Sequence, residues 1–200
     1  MKYIQTYEAR KSTEKPFIQS AKRGSRKAVE DFIKQGVDIN MTGEYDRTAL
    51  MNASLNNNLM IVDTLIKADA DVNLQDKDGR TALMMASTPK IIQKLLDVEN
   101  LDINIKSYAG DSVAMEWLRY TYTLDNLKKF IEKGLDLDIV DNNGFNFYDK
   151  LKDKLEHLKI HMESDSNVNT LSSIEKFMDE NYPKYKEMWE LKRDIDKFKL

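Results

Sequence analysis

The sequence predicts an all-α protein made of stacked helix-turn-helix units, and three observations carry that reading. Asp46–Ser54 (DRTALMNAS) and Gly79–Ser87 (GRTALMMAS) are near copies set 33 residues apart. An apolar-Asx-apolar-Asx segment recurs at Val37–Asn40, Ala70–Asn73, Leu101–Asn104 and Leu135–Asp138. An i, i+3, i+4 apolar triplet, one stripe of a helix, recurs at Val29/Phe32/Ile33, Val62/Leu65/Ile66, Ile92/Leu95/Leu96, Leu127/Phe130/Ile131 and Ile174/Phe177/Met178. A unit of this length cannot bury its own apolar face, so copies must stack.

Each unit is expected to run turn, inner helix, loop, outer helix. Thr48, Thr81, Ser112 and Asn146 follow the four Asx segments by eight residues and are placed to cap the inner helices. Pro89 sits where the third outer helix would begin, a position at which its missing N–H costs nothing. Trp117 and Leu118 fall where small residues would let inner helices approach closely, so they are expected to widen or tilt that interface. The predicted repeats are 15–47, 48–80, 81–111, 112–145 and a degenerate 146–180.

The ends differ from the repeats. Residues 1–14 are read as a polar lid or a disordered segment, and Asn146–Glu163 as a long inner helix. A polar loop over Ser164–Asn169 and a last outer helix over 171–180 follow. After Pro183, apolar residues at Met188, Leu191, Ile195 and Phe198 with charges between them predict an amphipathic helix in the segment 181–200. Its expected role is to cap the stack, since a terminal repeat must hide an apolar face. A dimer seam or a docking helix are the alternatives.

These residues resemble the ankyrin repeat family. Its T-P-L-H-x-A signature stands here as Thr48-Ala49-Leu50-Met51-Asn52-Ala53 and Thr81-Ala82-Leu83-Met84-Met85-Ala86, and its A-D-V-N segment stands verbatim at Ala70–Asn73. The first repeat keeps Pro16, Phe17, Ala21, Gly24 and Gly36 in register. Met51 and Met84 replace the family's His, and Ala49 and Ala82 its Pro. The resemblance spans roughly Lys15 to Asp179, strongest between Pro16 and Asn104. It implies a solenoid of about five repeats with β-hairpin-like turn fingers. The TALM form is similar to that of small stand-alone bacterial members.

Composition excludes several classes. Two hundred residues at 41% hydrophobic content can bury a sizeable core. No apolar run is long enough for a transmembrane helix, and the charged N-terminus is no signal peptide. With no Cys there is no disulfide, thiolate site or thiol catalysis, and a cytoplasmic location is expected. The net charge is −3, unevenly spread: residues 1–36 carry nine Lys/Arg against four Asp/Glu, residues 97–149 five against eleven. That asymmetry is read as an uneven solvated surface, or as steering of a polar partner.

Candidate chemistry is sparse. His157, His161 and Asp153 share one helical face, a possible zinc set. The residue after His157 is Leu rather than Glu, and the segment is charged throughout, so a solvated face is the simpler account and no metal is expected. No glycine-rich phosphate loop is present, and the Asx residues belong to turns. No enzyme activity and no cofactor are expected.

Function is therefore assigned to surface. The resemblance implies a partner on the concave face of turn tips and inner helices. In register, the tips supply Tyr45, Arg47, Lys77, Arg80, Tyr108, Asp111 and Phe145. The exposed inner-helix positions are read as Gln19, Arg23, Asn52, Asn56, Glu116, Arg119 and Tyr120. Tyr and Arg are frequent binding hot spots. The leading expectation is a protein-binding module, monomeric alone, that neutralises a toxin or inhibits an enzyme. Alternatives are an adaptor or oligomer subunit assembling through the C-terminal helix, and nucleic-acid binding through the basic N-terminal end. Net acidity opposes the last, because phosphate affinity requires a positive track.

Overall fold

Thr48 and Thr81 each take an extended backbone conformation, and their hydroxyls accept hydrogen bonds from the amides of Met51 and Met84. Each thereby satisfies one of the donors left open in the first turn of a helix. These caps start two inner helices of a computed structural model that describes residues 16–119, 123–161 and 166–198. Side chains at 159–161, 166–167 and 194–198 lie outside the described set, as do residues 1–14 and Tyr120.

The chain divides into two compact units, 1–109 and 110–200. In the first, helices run α1 (16–23), α2 (Arg26–Lys34), α3 (Ala49–Leu55), α4 (Leu59–Lys67), α5 (Ala82–Met85) and α6 (Pro89–Leu96). A single 3-10 turn, Glu44–Asp46, lies between α2 and α3. Inner helix α3 packs on α5, and outer helix α4 packs on both α2 and α6. Val29, Val62, Leu65, Ile92, Leu95 and Leu96 of the apolar triplets are buried there. Phe17 meets Phe32 edge-to-face at 5.9 Å.

The predicted helices form with two local adjustments. Inner helix α5 lasts one turn, because Ala86 leaves the helical region and Pro89 starts α6 soon after. Ser87 Oγ then donates to Asn57 Oδ1 at 2.9 Å. The Asn58 side chain donates to the carbonyls of Ala21 and Lys22 at 2.9 and 3.0 Å, satisfying acceptors at the end of α1.

The Asx segments perform two tasks. Asp38, Asp71 and Asp102 each accept from the amide two residues on, which tightens their own turn. Asn40 accepts from Asp71 N, and Asn73 from Asp102 N, both at 2.9 Å, which ties each turn to the next.

The second unit repeats the scheme with α7 (Val113–Trp117), α8 (Leu124–Glu132), α9 (Phe147–His161) and α10 (Ser166–Asn181), then α11 (Pro183–Phe198). Inner helices α7 and α9 pack together, as do outer helices α8 and α10. Helix α11 packs on both α9 and α10. Trp117 and Leu118 are buried, and Trp117 meets Phe130 edge-to-face at 5.8 Å.

Some expectations need correction. Ser112 precedes α7 in an extended conformation, but its side chain makes no cap bond. Asn146 does cap α9: its side chain accepts from Asp149 N, and Asp149 accepts from Asn146 N in return. The predicted loop over Ser164–Asn169 is already helical at Ser166. Tyr185 anchors α11, being buried with its hydroxyl donating to Asp138 at 2.8 Å. Met188 and Leu191, expected on the buried stripe, are 44% and 63% exposed, while the side chains of Ile195 and Phe198 lie outside the described set. The stripe misses the body because the covered side of α11 runs through Tyr185, Trp189 and Lys192, one position along from Met188 and Leu191.

Candidate functional site

The turn fingers are closed by one repeated bond. The amides of Gly43, Asp76 and Asp141 donate to the carbonyls of Arg47, Arg80 and Phe145 respectively, each four residues on. The first finger also carries the one isolated antiparallel bridge among the described residues, Thr42 to Thr48. Each finger must turn through the left-handed region just before its cap. Gly79, Gly110 and Gly144 do so freely, whereas the first finger uses Asp46 at φ 56 with Tyr45 beside it at φ 62.

Tyr45 is 55% exposed, with the Lys77 ammonium 4.3 Å and the Arg47 guanidinium 5.3 Å from its ring centre. Its carbonyl accepts from Lys77 N, and in the next finger Asp78 O accepts from Tyr108 N, both at 3.0 Å. Tyr108 is 67% exposed. A Cβ on Gly79 would lie 2.5 Å from Tyr108 N, so only glycine allows that approach.

Arg47 and Arg80 converge on one buried carboxylate. Asp76 Oδ2 accepts from Arg47 Nε at 3.3 Å and Arg80 Nη2 at 3.2 Å, while Oδ1 accepts from the amides of Asp78 and Arg80. Burial pushes the Asp76 carboxyl up, but the Arg80 and Asp78 amides and the Arg80 charge bring it below its ordinary range. Arg80 also pairs with Asp78 at 2.6 Å.

In the second unit the corresponding charge is provided differently. Asp141 Oδ1 accepts from the amides of Asn143 and Phe145, as Asp76 does in its finger, but Oδ2 pairs with Lys150 at 2.8 Å. Lys150 also reaches Asp111 at 2.5 Å, and Arg119 joins Asp111 at 2.8 Å. Burial would raise the Asp141 carboxyl, yet Lys150 and the two amides lower it to about 2.

Beside this network lies a groove of about 800 Å³, within residues 110–200. Met115 and Leu118 form apolar lining, with Phe145 and Trp189 as aromatic walls. Helix α9 contributes Asp149, Asp153, Lys154 and Glu156, and α11 contributes Lys192 and Arg193. Lys192 pairs with Asp149 at 2.6 Å, and Lys154 donates to the carbonyl of Leu118. Burial moves the Lys154 ammonium below its ordinary range.

Residues 17–107 match the family model described as ankyrin repeats, in three copies. No curated protein matches the chain. Residues 17–107 are ankyrin repeats. Ankyrin repeats are generally protein–protein interaction modules and typically non-catalytic. Among the described residues, no cluster of three or more His, Asp or Glu is placed to hold a metal, and the His161 side chain lies outside that set. No described helix is long and apolar enough to cross a membrane.

The sequence-predicted residues separate into three groups. Tyr45, Lys77, Tyr108, Phe145, Asn56 and Arg119 are exposed. Arg47 and Arg80 are half-buried against Asp76. Asn52, Asp111 and Glu116 were expected at the surface and are buried. Asn52 turns back to donate to Thr48 O, and Asp111 is held by Lys150 and Arg119. Glu116 also faces Arg119, one helical turn away. Asp76, Lys150 and Trp189 went unremarked in the sequence. Asp five residues before the cap, at both Asp76 and Asp141, was a readable signal. Lys150 and Trp189 lie on helices whose neighbours only the fold reveals.

Proposed function

We propose that the protein is a non-catalytic interaction module that grips a protein partner with its finger tips and the adjoining inner-helix residues. Tyr45 carries this reading. A tyrosine in the left-handed region costs roughly 1–2 kcal/mol over an extended conformation, and its counterparts in the three following fingers, Asp78, Ala109 and Asn143, avoid that cost by keeping a negative φ. The strained residue presents a half-exposed aromatic ring flanked by two cations. Such an arrangement suits a preformed contact for a carboxylate or an aromatic side chain.

Lys77 and Tyr108 extend that surface, and Asn56 is an exposed inner-helix position of the same unit. In the second unit Arg119 and Phe145 are the corresponding exposed positions. Asp76 with Arg47 and Arg80, and Asn52, Asp111 and Glu116, act as supports that fix the tips. Tips fixed in this way fit neutralisation of a toxin or inhibition of an enzyme, where the partner is itself folded. The absence of Cys suits work in the cytoplasm.

The experiment is capture of partners from source cells on the immobilised protein, beside a Tyr45→Ala/Tyr108→Ala control matched for thermal stability. One stoichiometric protein lost by the control supports the reading. Equal capture on both surfaces sinks it.

A second reading, assembly through α11, draws on the exposure of Met188 and Leu191. Light scattering decides it: a dimer that Met188→Ser/Leu191→Ser converts to monomer would favour assembly, and a monomeric native protein would remove it.

A further inference from the structure

One asparagine in the sequence is followed by glycine: Asn143, in the finger Asp141–Phe145. Such a pair carries a chemistry of its own, because glycine has no Cβ to shield its backbone nitrogen from the side chain before it. An Asp–Gly pair shares that chemistry more slowly, and the second finger holds one at Asp78–Gly79. The two pairs occupy the same place in their turns. Gly79 N donates to Asp76 O at 2.8 Å, and Gly144 N to Asp141 O at 3.0 Å. Both glycines are left-handed, at φ 77 and φ 82.

Their surroundings differ. Gly79 is buried, and a Cβ there would lie 2.7 Å from Cδ1 of Tyr108, so that ring covers the turn. Asp78 is held by Arg80 at 2.6 Å. Gly144 is exposed, and a Cβ placed on it would meet nothing within 4 Å beyond its chain neighbours. Asn143 is exposed too, and its side-chain amide makes no hydrogen bond among the described residues. By contrast, Asn56 and Asn58 donate to carbonyls and Asn57 accepts from Ser87. The charged groups at the turn are Lys192, 3.4 Å from the Gly144 carbonyl, and Asp141 with its partner Lys150.

We propose that Asn143 is a site of self-modification, at which the Gly144 nitrogen displaces the side-chain amide and water completes conversion to aspartate or isoaspartate. Hydroxide removes the Gly144 amide proton. The nitrogen lone pair then bonds to Asn143 Cγ, the Cγ–Nδ2 bond breaks, and Nδ2 takes a proton from water and leaves as ammonia. Water opens the resulting cyclic imide at either carbonyl. Breaking the new N–Cγ bond gives aspartate; breaking the original peptide bond gives isoaspartate, whose main chain runs through Cβ and Cγ. The bond from Gly144 N to Asp141 O must open first, and at an exposed tip that opening requires little free energy.

The consequence falls on Phe145. Its carbonyl accepts from Asp141 N and its amide donates to Asp141 Oδ1, both at 2.9 Å. Isoaspartate inserts a main-chain atom between these partners and moves Phe145 out of register with Asp141. The effect on binding, though not the chemistry, rests on reading the tips as a contact surface.

The test incubates the full chain at mildly alkaline pH and follows each asparagine by peptide mass spectrometry, with fragmentation that separates aspartate from isoaspartate. A parallel sample is unfolded in urea. Asn143 is expected to convert first among the asparagines, within about tenfold of its rate in urea, since an exposed turn opens readily. Asp78 should stay unchanged in the folded protein and isomerise in urea. Asn143→Gln, whose longer side chain disfavours the ring, should remove the change at this position, with folding checked by circular dichroism. The isoaspartate form, separated by its added charge, should exchange the Gly144 and Phe145 amides faster, with those of Gly79 and Arg80 unaffected.

Retention of the Asn143 amide in the folded protein while the unfolded chain converts overturns the proposal. Conversion no faster than at Asn56–Asn58, or isomerisation of folded Asp78 alongside it, does the same. Conversion with amide exchange unchanged would remove the link to Phe145. None of these outcomes touches capture through Tyr45 and Tyr108, which is tested apart.

Discussion

The side-chain oxygen of Asn40 accepts a hydrogen bond from the amide of Asp71, 31 residues further on, at 2.9 Å. The two residues occupy adjacent turns, and Asn73 with Asp102 repeats the bond. The bond is partly buried, so removing the acceptor leaves an amide short of a partner. Asn40→Ala is expected to lower stability by about 1 kcal/mol. Asn40→Asp, which keeps an acceptor oxygen, should stay near the native value. Urea midpoints of the two variants make the comparison, and identical losses would show that the side-chain bond is not what stabilises the turn.

Acid should weaken the protein through its depressed carboxylates. Asp141 is lowered to about 2, and Asp76 and Asp138 are lowered as well. For Asp138 the causes are the Tyr185 hydroxyl and then the Lys184 ammonium. A carboxylate whose folded pKa is depressed adds stability above its unfolded value and loses it as pH falls through the folded value. Asp141 should contribute about 2 kcal/mol at neutral pH. That contribution is lost between roughly pH 4 and pH 2. Asp141→Asn should flatten this part of the stability profile, read by thermal melts across the range.

Lys150 is the counter-case. Its removal leaves Asp141 without a cation and Asp111 with Arg119 alone, both nearly inaccessible. Lys150→Met is expected to cost about 3 kcal/mol at pH 7. Burial, the largest influence on the Asp141 carboxyl, would then push it above its unfolded value, a shift whose stability is present at low pH and lost as pH rises. The variant should accordingly melt higher at pH 5 than at pH 7, opposite to Asp141→Asn. A parallel fall of native and variant on acidification would contradict this.

Tyr45→Gly separates stability from binding. Glycine adopts φ 62 without strain, so the variant should be as stable as the native protein or more so by up to about 1 kcal/mol. It loses the ring and both cation contacts. Partner capture should fall with the melting temperature unchanged or raised. A variant that is less stable yet still binds would remove the functional reason for the strained tyrosine.

Much of the fold was legible because its signals are local. Thr48 and Thr81 cap the helices that their sequence copies announce, and Pro89 begins α6 where its ring is harmless. The Asx segments were legible as turns, but not as bonds to the next turn, because a register does not state which amide faces which side chain. Asn52 and Glu116 were read as exposed from helical position alone. The first bends back to its own turn, and the second lies under Arg119. The groove was hidden because it joins α7, α9, α11 and a finger tip, which are distant in sequence. Met188 and Leu191 show the reverse limit: an amphipathic stripe states that a face exists, not that it is covered.

The paired bonds Asn40–Asp71 and Asn73–Asp102 make the first unit modular in a literal way. Excising residues 41–73 would bring Asn40 opposite Asp102 at the spacing that Asn73 now has, with Asp38 in place of Asp71 behind it. The junction would be remade from residues already present. Length in such a chain is a heritable dial, because each seam is written in the same two letters and accepts any neighbour that ends in them.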